Sequence, residues 1–362
     1  MIQTIEALST PLEYSRLDTE SLRERIERRK RELNAVILGH NYQRVEIQSV
    51  SDYLGDSLGL SQEAADTDAD VIVFCGVHFM AETAKILSPR KTVLMPDLRA
   101  GCPMADFVTA DGLRALKARF PGAPVVAYVN STAEVKAESD LCCTSANAVR
   151  VVDSLPRDAT VLFVPDRNLA RYAAERSGRP YLTTSELAAR GDAAVPVGAI
   201  VAWDGYCYVH DDLVLDELAD ARRRFPNAKV VIHPEARADL LAEADFVTST
   251  SKMVQIAEEH DELIIGTERG LIDRLQQTFP RKRFIPLSGA AICGNMKMNT
   301  LAKLAWSLDH GKHEVLLDEA VRLRAEASLR RMLELSGGWR APTAEEATLE
   351  EAGLRAPGCG CA

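Results

Sequence analysis

Although the chain carries eight cysteines, no two of them form a Cys-x-x-Cys pair, the close spacing from which structural zinc sites are usually built. Apolar runs of membrane-spanning length are also missing. The first residues (MIQTIEALSTPLEYSRL) lack a basic segment followed by an apolar one, so neither a transmembrane helix nor a secretory leader is expected. There is no long basic run, and a formal net charge of -10 with a pI near 5.3 leaves no electrostatic footprint for nucleic acid. These absences predict a cytoplasmic protein with neither membrane nor nucleic-acid partners. In that reducing compartment, eight cysteines argue for metal or redox chemistry rather than a disulfide framework. The remaining composition is that of an ordinary globular enzyme, 46% hydrophobic and 27% charged over 362 residues, enough for two or three cores.

What is present is an internal repeat. Three apolar stretches run to a polar end: AVILGH to His40, VVAYVN to Asn130 and KVVIH to His233. A hydroxyl residue follows each (Ser57, Ser145, Thr250) and opens a helical stretch. Next come a second buried strand (VIVFCG, VLFVPD, LIIGT), a helix (HFMAETAKIL, NLARYAAERS, GLIDRLQQTF) and a third strand (TVLMPD, AIVAWDG, FIPLS). Each unit then runs into a cysteine: Cys102, Cys207 or Cys293. The middle copy is longer by about fifteen residues, placed around YLTTSELAARGDAAV. Alternating apolar strands and helices of these lengths predict an α/β protein, with three αβα parallel-sheet domains arranged with pseudo-threefold symmetry about one central site. The expected division is a helical extension (1–33), repeats at 34–121, 122–226 and 227–308, and a C-terminal helix with a mobile tail (309–362). The charged helix in the extension (SLRERIERRKREL) reads as a solvated surface helix.

In parallel sheets the binding crevice lies at the carboxyl ends of the strands. The three cysteines fall there, one per repeat. Three lone thiolates suit a 4Fe-4S cluster with one iron left without a protein ligand, while a lone cysteine is more often just a small core residue. Cys75 and the doublet Cys142-Cys143 read as core, and the pair Cys359 and Cys361 as a dispensable end. For Ser57, Ser145 and Thr250, an ordinary helix cap competes with an anion site. Their recurrence at one place in three copies favours the anion site. His210, three residues after Cys207, suits a supporting role beside the metal. His78, His260, His310 and His313 read as surface or helix-end residues.

The strings GHNYQ, GDSLGLSQ, MPDLRAGCPMAD, YVNSTAEVKAESDLCCTSANA, WDGYCYVHDDL, VIHPE, TSTSKM and CGNMKMNTL lie in order through all three repeats, over about residues 34 to 336. This set resembles the quinolinate synthase family. The resemblance implies one 4Fe-4S cluster held by Cys102, Cys207 and Cys293. It implies condensation of iminoaspartate with dihydroxyacetone phosphate to quinolinate, with release of phosphate and two waters, as a step of NAD biosynthesis. It leaves open contact with the upstream aspartate-oxidising enzyme. Carried over by motif, the substrate-binding positions are His40, Ser57, Tyr128, Val129, Asn130, Ser145, His233, Pro234, Glu235 and Thr250, and the catalytic ones are Tyr42, Glu235 and His40. Some relatives carry a Cys-x-x-Cys-x-x-Cys run at the third ligand, whereas SGAAICGNM here supplies only Cys293.

From the residues themselves, such a reaction needs donors for two carboxylates and a phosphate, which helix-start hydroxyls and Asn130 supply. It also needs groups that exchange protons near neutral pH, for which histidine's ordinary pKa is suited. Two other classes remain open on this reading: a non-enzymatic iron-sulfur carrier or sensor, and a small-anion binder with unmetallated cysteines.

Overall fold

The computed structural model describes residues 10–191 and 195–337; Cys359, Cys361 and the expected mobile tail lie outside them. Among the described residues there are thirteen strands in three sheets, and every strand-to-strand pairing within the sheets is parallel. The first sheet is built from β1 (Ala35–His40), β2 (Tyr53–Gly55), β3 (Val71–Cys75) and β4 (Thr92–Leu94) in the order β2-β1-β3-β4. The second is built from β5 (Val125–Tyr128), β6 (Leu141–Cys143), β7 (Val161–Val164), β8 (Tyr181–Thr183) and β9 (Ile200–Ala202) in the order β6-β5-β7-β9-β8. The third uses β10 (Lys229–Ile232), β11 (Phe246–Val247), β12 (Glu262–Gly266) and β13 (Arg283–Pro286) in the order β11-β10-β12-β13. One strand order therefore occurs three times. The insertion in the middle copy is the extra edge strand β8 with helix Thr184–Arg190 behind it.

The central strands are nearly pure Val, Ile, Leu, Phe and Ala, and residues such as Ile37, Leu38, Val126, Phe163, Val231 and Ile264 are buried. Such runs suit sheets covered on both faces. The covering helices include His78–Leu87, Arg167–Ser177 and Arg269–Thr278, each placed after the second long strand of its repeat as the pattern predicts. Helix Arg167–Ser177 starts at Asp166, whose carboxylate accepts from the Asn168 and Leu169 N–H groups. It stops at Gly178, in the left-handed region at φ 67° that glycine occupies at low cost.

The short edge strands β2, β6 and β11 were not anticipated, because two or three residues carry no readable period. They matter for the site. Register pairs His40 with Gly55, Tyr128 with Cys143 and Ile232 with Val247. That pairing sets the chain end before each hydroxyl residue beside the end of a central strand.

Two expectations need correction. Ser57 and Thr250 do open ten-residue helices, but Ser145 lies in a turn and its helix begins at Ala148. There the Asn147 side chain accepts from the Thr144 N–H at 2.7 Å and takes up the chain before the helix starts. Helix Thr19–Glu32 is not simply solvated. It buries Leu22 and Ile26 in a cluster with Ile37 and Val73 of the first sheet and Leu304 and Trp306 of helix Leu301–His310. Its Arg25 and Arg29 meet Asp309. Charge dominates its sequence, yet two apolar positions four apart on one face are enough to seat it. Helix Glu319–Ser336 covers the second sheet through Leu329, Met332 and Leu333. Among the described residues no helix is long and apolar enough to cross a membrane.

Candidate active site and metal centre

Side chains from the carboxyl ends of all three sheets meet. Asp56 accepts from the Ser249 hydroxyl at 3.0 Å, and the Asn41 side-chain amide donates to Thr250 Oγ1 at 2.9 Å, which ties the first repeat to the third. The Asn168 amide donates to the Glu235 carbonyl at 3.0 Å, tying the second to the third. Helix Arg269–Thr278 approaches the loop carrying Tyr42 so closely that a Cβ on Gly270 would lie 2.7 Å from the Tyr42 and Gln43 carbonyl oxygens. Glycine is required at that contact.

These contacts line one cavity between the three sheets, the concave setting in which small-molecule sites form. The first repeat contributes His40, Tyr42, Ser57 and Cys102 to its lining, the second Tyr128, Asn130, Ser145 and Cys207, and the third His233, Glu235, Thr250 and Cys293. Val129 and Pro234 are buried but do not line it, and the Val129 N–H is spent on the Cys143 carbonyl at 2.9 Å. The Asn130 Oδ1 is buried and has no hydrogen-bond partner among the described residues. A buried polar atom left unmatched in a cavity wall is what a bound polar ligand would satisfy.

Glu235 is the electrostatic centre. It receives a hydrogen bond from Tyr128 OH on Oε1, while Oε2 lies 2.7 Å from His210 Nδ1 and 3.8 Å from His233 Nδ1. Burial opposes its ionisation, but the neighbouring histidines and the donors on both oxygens outweigh burial and hold its pKa at about 2. The same burial pushes His40 down to about 4 and His233 to about 3. Both rings are thus neutral at pH 7, which corrects the expectation that histidine's ordinary pKa would serve here: desolvation overrides it. His40 Nδ1 accepts the Tyr42 N–H at 3.1 Å, leaving Nε2 as the N–H. Burial first, and the Glu235 charge second, raise Tyr42 and Tyr128 well above the usual phenol value, so both keep their protons.

Four residues of the site escaped the sequence reading. Thr267 and Glu268 follow β12, Asp56 precedes Ser57, and Lys297 pairs with Glu268 at 2.9 Å. Glu268 also accepts from the Cys293 N–H at 3.0 Å and so braces that cysteine's loop. The available signal was position: the second long strand of each repeat also ends in the crevice, and only the first and third had been credited.

A 4Fe-4S cluster fits this donor set. Cys102, Cys207 and Cys293 are free thiols lining one cavity, and each feels the charge of at least one of the others. Among the described residues the metal-capable group within 4.8 Å of mutual reach is Cys207, His210 and Glu235. The three cysteines are not such a group. At least one pair of their sulfurs therefore lies beyond 4.8 Å, wider than the spacing around a single zinc ion at about 2.3 Å bonds. Burial raises Cys102 to about 12 and lifts Cys207 and Cys293 too, so thiolates there would need a cation beside them, as the irons of a cluster would be. The other described cysteines, Cys75, Cys142 and Cys143, are fully buried in apolar clusters, as expected of core residues.

Residues 24–334 match the family described as "NadA: Quinolinate synthetase A protein". Similar proteins include the quinolinate synthase of Dehalococcoides mccartyi, 50% identical over 320 residues (88% of this chain, 99% of that protein). Others are quinolinate synthase of Desulforudis audaxviator, 49% identical over 308 residues (84% and 95%), and quinolinate synthase 1 of Methanosarcina acetivorans, 48% identical over 311 residues (85% and 96%). With a match over most of its length, and with one cavity assembled from the motifs of all three repeats, the chain belongs to the quinolinate synthase family.

Proposed function

We propose that the cavity condenses iminoaspartate with dihydroxyacetone phosphate to quinolinate, releasing phosphate and two waters, as a step in NAD biosynthesis. The observation that carries this reading is the convergence of three cysteines and thirteen other polar side chains from three repeats on one cavity. A 4Fe-4S cluster on Cys102, Cys207 and Cys293 would supply a Lewis acid at the iron without a protein ligand.

The protein's own groups account for the remainder. Ser57 and Thr250, first residues of ten-residue helices, present hydroxyls beside free helix N–H groups, the arrangement that favours phosphate or carboxylate. Asn130, with its unmatched oxygen, takes a donor from the imine nitrogen or a hydroxyl. Neutral His40 donates through Nε2 to a ketone oxygen, and Glu235, ionised and oriented by Tyr128 and His210, accepts protons during isomerisation and water loss.

The test is anaerobic purification with iron counting, then incubation with dihydroxyacetone phosphate and iminoaspartate generated in place by an aspartate-oxidising enzyme. Quinolinate formation is expected. A protein with full iron that forms none would overturn the reading.

A further inference from the structure

Arg274 stands on helix Arg269–Thr278 one turn beyond Gly270, the residue at which that helix meets the Tyr42 and Gln43 carbonyls. It is half-buried, burial presses its pKa down, and among the described residues no carboxylate pairs with it. Its guanidinium donates instead to Oδ1 of Asn41, the fully buried residue that follows β1. The Asn41 Nδ2 donates in turn to Thr250 Oγ1 at 2.9 Å. One line of hydrogen bonds thus runs from Arg274 through Asn41 to Thr250, which lines the cavity.

Each step of that line has one direction. A guanidinium keeps its protons and only donates, so the group facing it is the Asn41 amide oxygen. The other end of the amide is then its NH2, which also only donates, so Thr250 Oγ1 meets Asn41 as an acceptor. The Thr250 hydroxyl keeps its own hydrogen, and among the described residues its side chain has no further hydrogen-bond partner. Gln48 holds this frame in place: its amide nitrogen lies 3.2, 2.9 and 3.1 Å from the carbonyl oxygens of Asn41, Gln43 and Gly270. None of the three side chains in the line titrates near neutral pH.

We infer that Arg274 is a positioning residue: through the Asn41 amide it makes the Thr250 hydroxyl a hydrogen-bond donor for an anionic oxygen of the ligand in the cavity. The identity of that anion, a carboxylate or the phosphate, rests on the proposed function. Arg274 lies in none of the strings that carry the family resemblance, and it does not itself line the cavity.

The experiment is a double-mutant cycle on the cluster-loaded protein, with Arg274→Met, Arg274→Lys, Thr250→Ala and Arg274→Met/Thr250→Ala. The Kd for two probes, quinolinate and inorganic phosphate, is measured by calorimetry, with kcat and KM beside it. Thr250→Ala should weaken one of the two probes about tenfold, the loss of one hydrogen bond to a charged group. Arg274→Met keeps the stem and removes every donor; it should weaken the same probe by a similar factor and leave kcat within a few fold. Arg274→Lys returns a cationic donor to Asn41 and should bind within a few fold of wild type. In the Thr250→Ala background, Arg274→Met should add almost nothing, because its effect passes through the missing hydroxyl. Asn41→Asp keeps the shape and the Arg274 contact but offers Thr250 only acceptors, so it should lose the same probe even where Arg274→Met fails to fold. Additive effects of Arg274→Met and Thr250→Ala, unchanged affinity in Thr250→Ala or Asn41→Asp, or failure of lysine to rescue would overturn the inference. So would wild-type protein that binds neither probe, whatever its turnover. Wild-type protein that binds quinolinate but makes none would instead overturn the proposed reaction, and the binding cycle would still decide the role of Arg274.

Discussion

His210 Nδ1 stands 2.7 Å from Glu235 Oε2, with Tyr128 OH on the other carboxylate oxygen. A carboxylate so supplied with donors stays ionised and keeps one orientation. Its exchange for an amide therefore isolates proton acceptance from shape. Glu235→Gln should lower kcat by about a hundredfold or more with KM changed within a few fold, as loss of a general base does. Steady-state kinetics of the purified variant checks this.

Ser57→Ala and Thr250→Ala should have the opposite signature. Each removes an anion donor at a helix start without touching a proton acceptor. KM should rise about tenfold for the substrate whose anion sits there, with kcat largely kept. Varying the two substrates separately identifies which helix start holds the phosphate.

The buried histidines make stability depend on pH. His40 and His233 stay neutral in the fold down to about 4 and 3, while an unfolded chain takes up protons at about 6.5. Below pH 6.5 the unfolded state binds more protons, so stability falls as pH drops through that window. Each histidine should contribute about 1.4 kcal/mol per pH unit. Urea midpoints measured from pH 8 to 5 should be flat above 7 and decline below 6.5, and His233→Gln should roughly halve the slope.

Ile26 is fully buried in the charged helix of the N-terminal extension. Ile26→Ala should destabilise the protein by about 2–5 kcal/mol, the usual cost of such a cavity, and leave kcat/KM at 25 °C unchanged. Denaturant unfolding with a parallel assay separates the two effects.

Much of this could be read from the chain because parallel strands buried on both faces are continuous apolar runs, and their ends are where ligands bind. Reading three polar strand ends and three cysteines in equivalent places was enough to assemble one site. Short edge strands such as Phe246–Val247 were beyond reach, since their pairing is a tertiary fact with no local pattern. The His40 and His233 pKa shifts were equally hidden, being set by neighbours from distant segments rather than by residue type. Thr267, the last residue of the string LIIGT, and Glu268 next to it could be found by asking of the second strand what is asked of the first.

The central claim is that Cys102, Cys207 and Cys293 together hold one cluster at the shared cavity. Its most direct test is the iron and acid-labile sulfide content of anaerobically purified chains carrying single cysteine replacements. The account predicts about four irons per wild-type chain. The same content is expected for Cys142→Ala and for the double variant Cys359→Ser/Cys361→Ser. Cys102→Ala, Cys207→Ala and Cys293→Ala should each lose the intact cluster. A full complement of iron in any of those three, or its loss from the Cys359→Ser/Cys361→Ser variant, would contradict it.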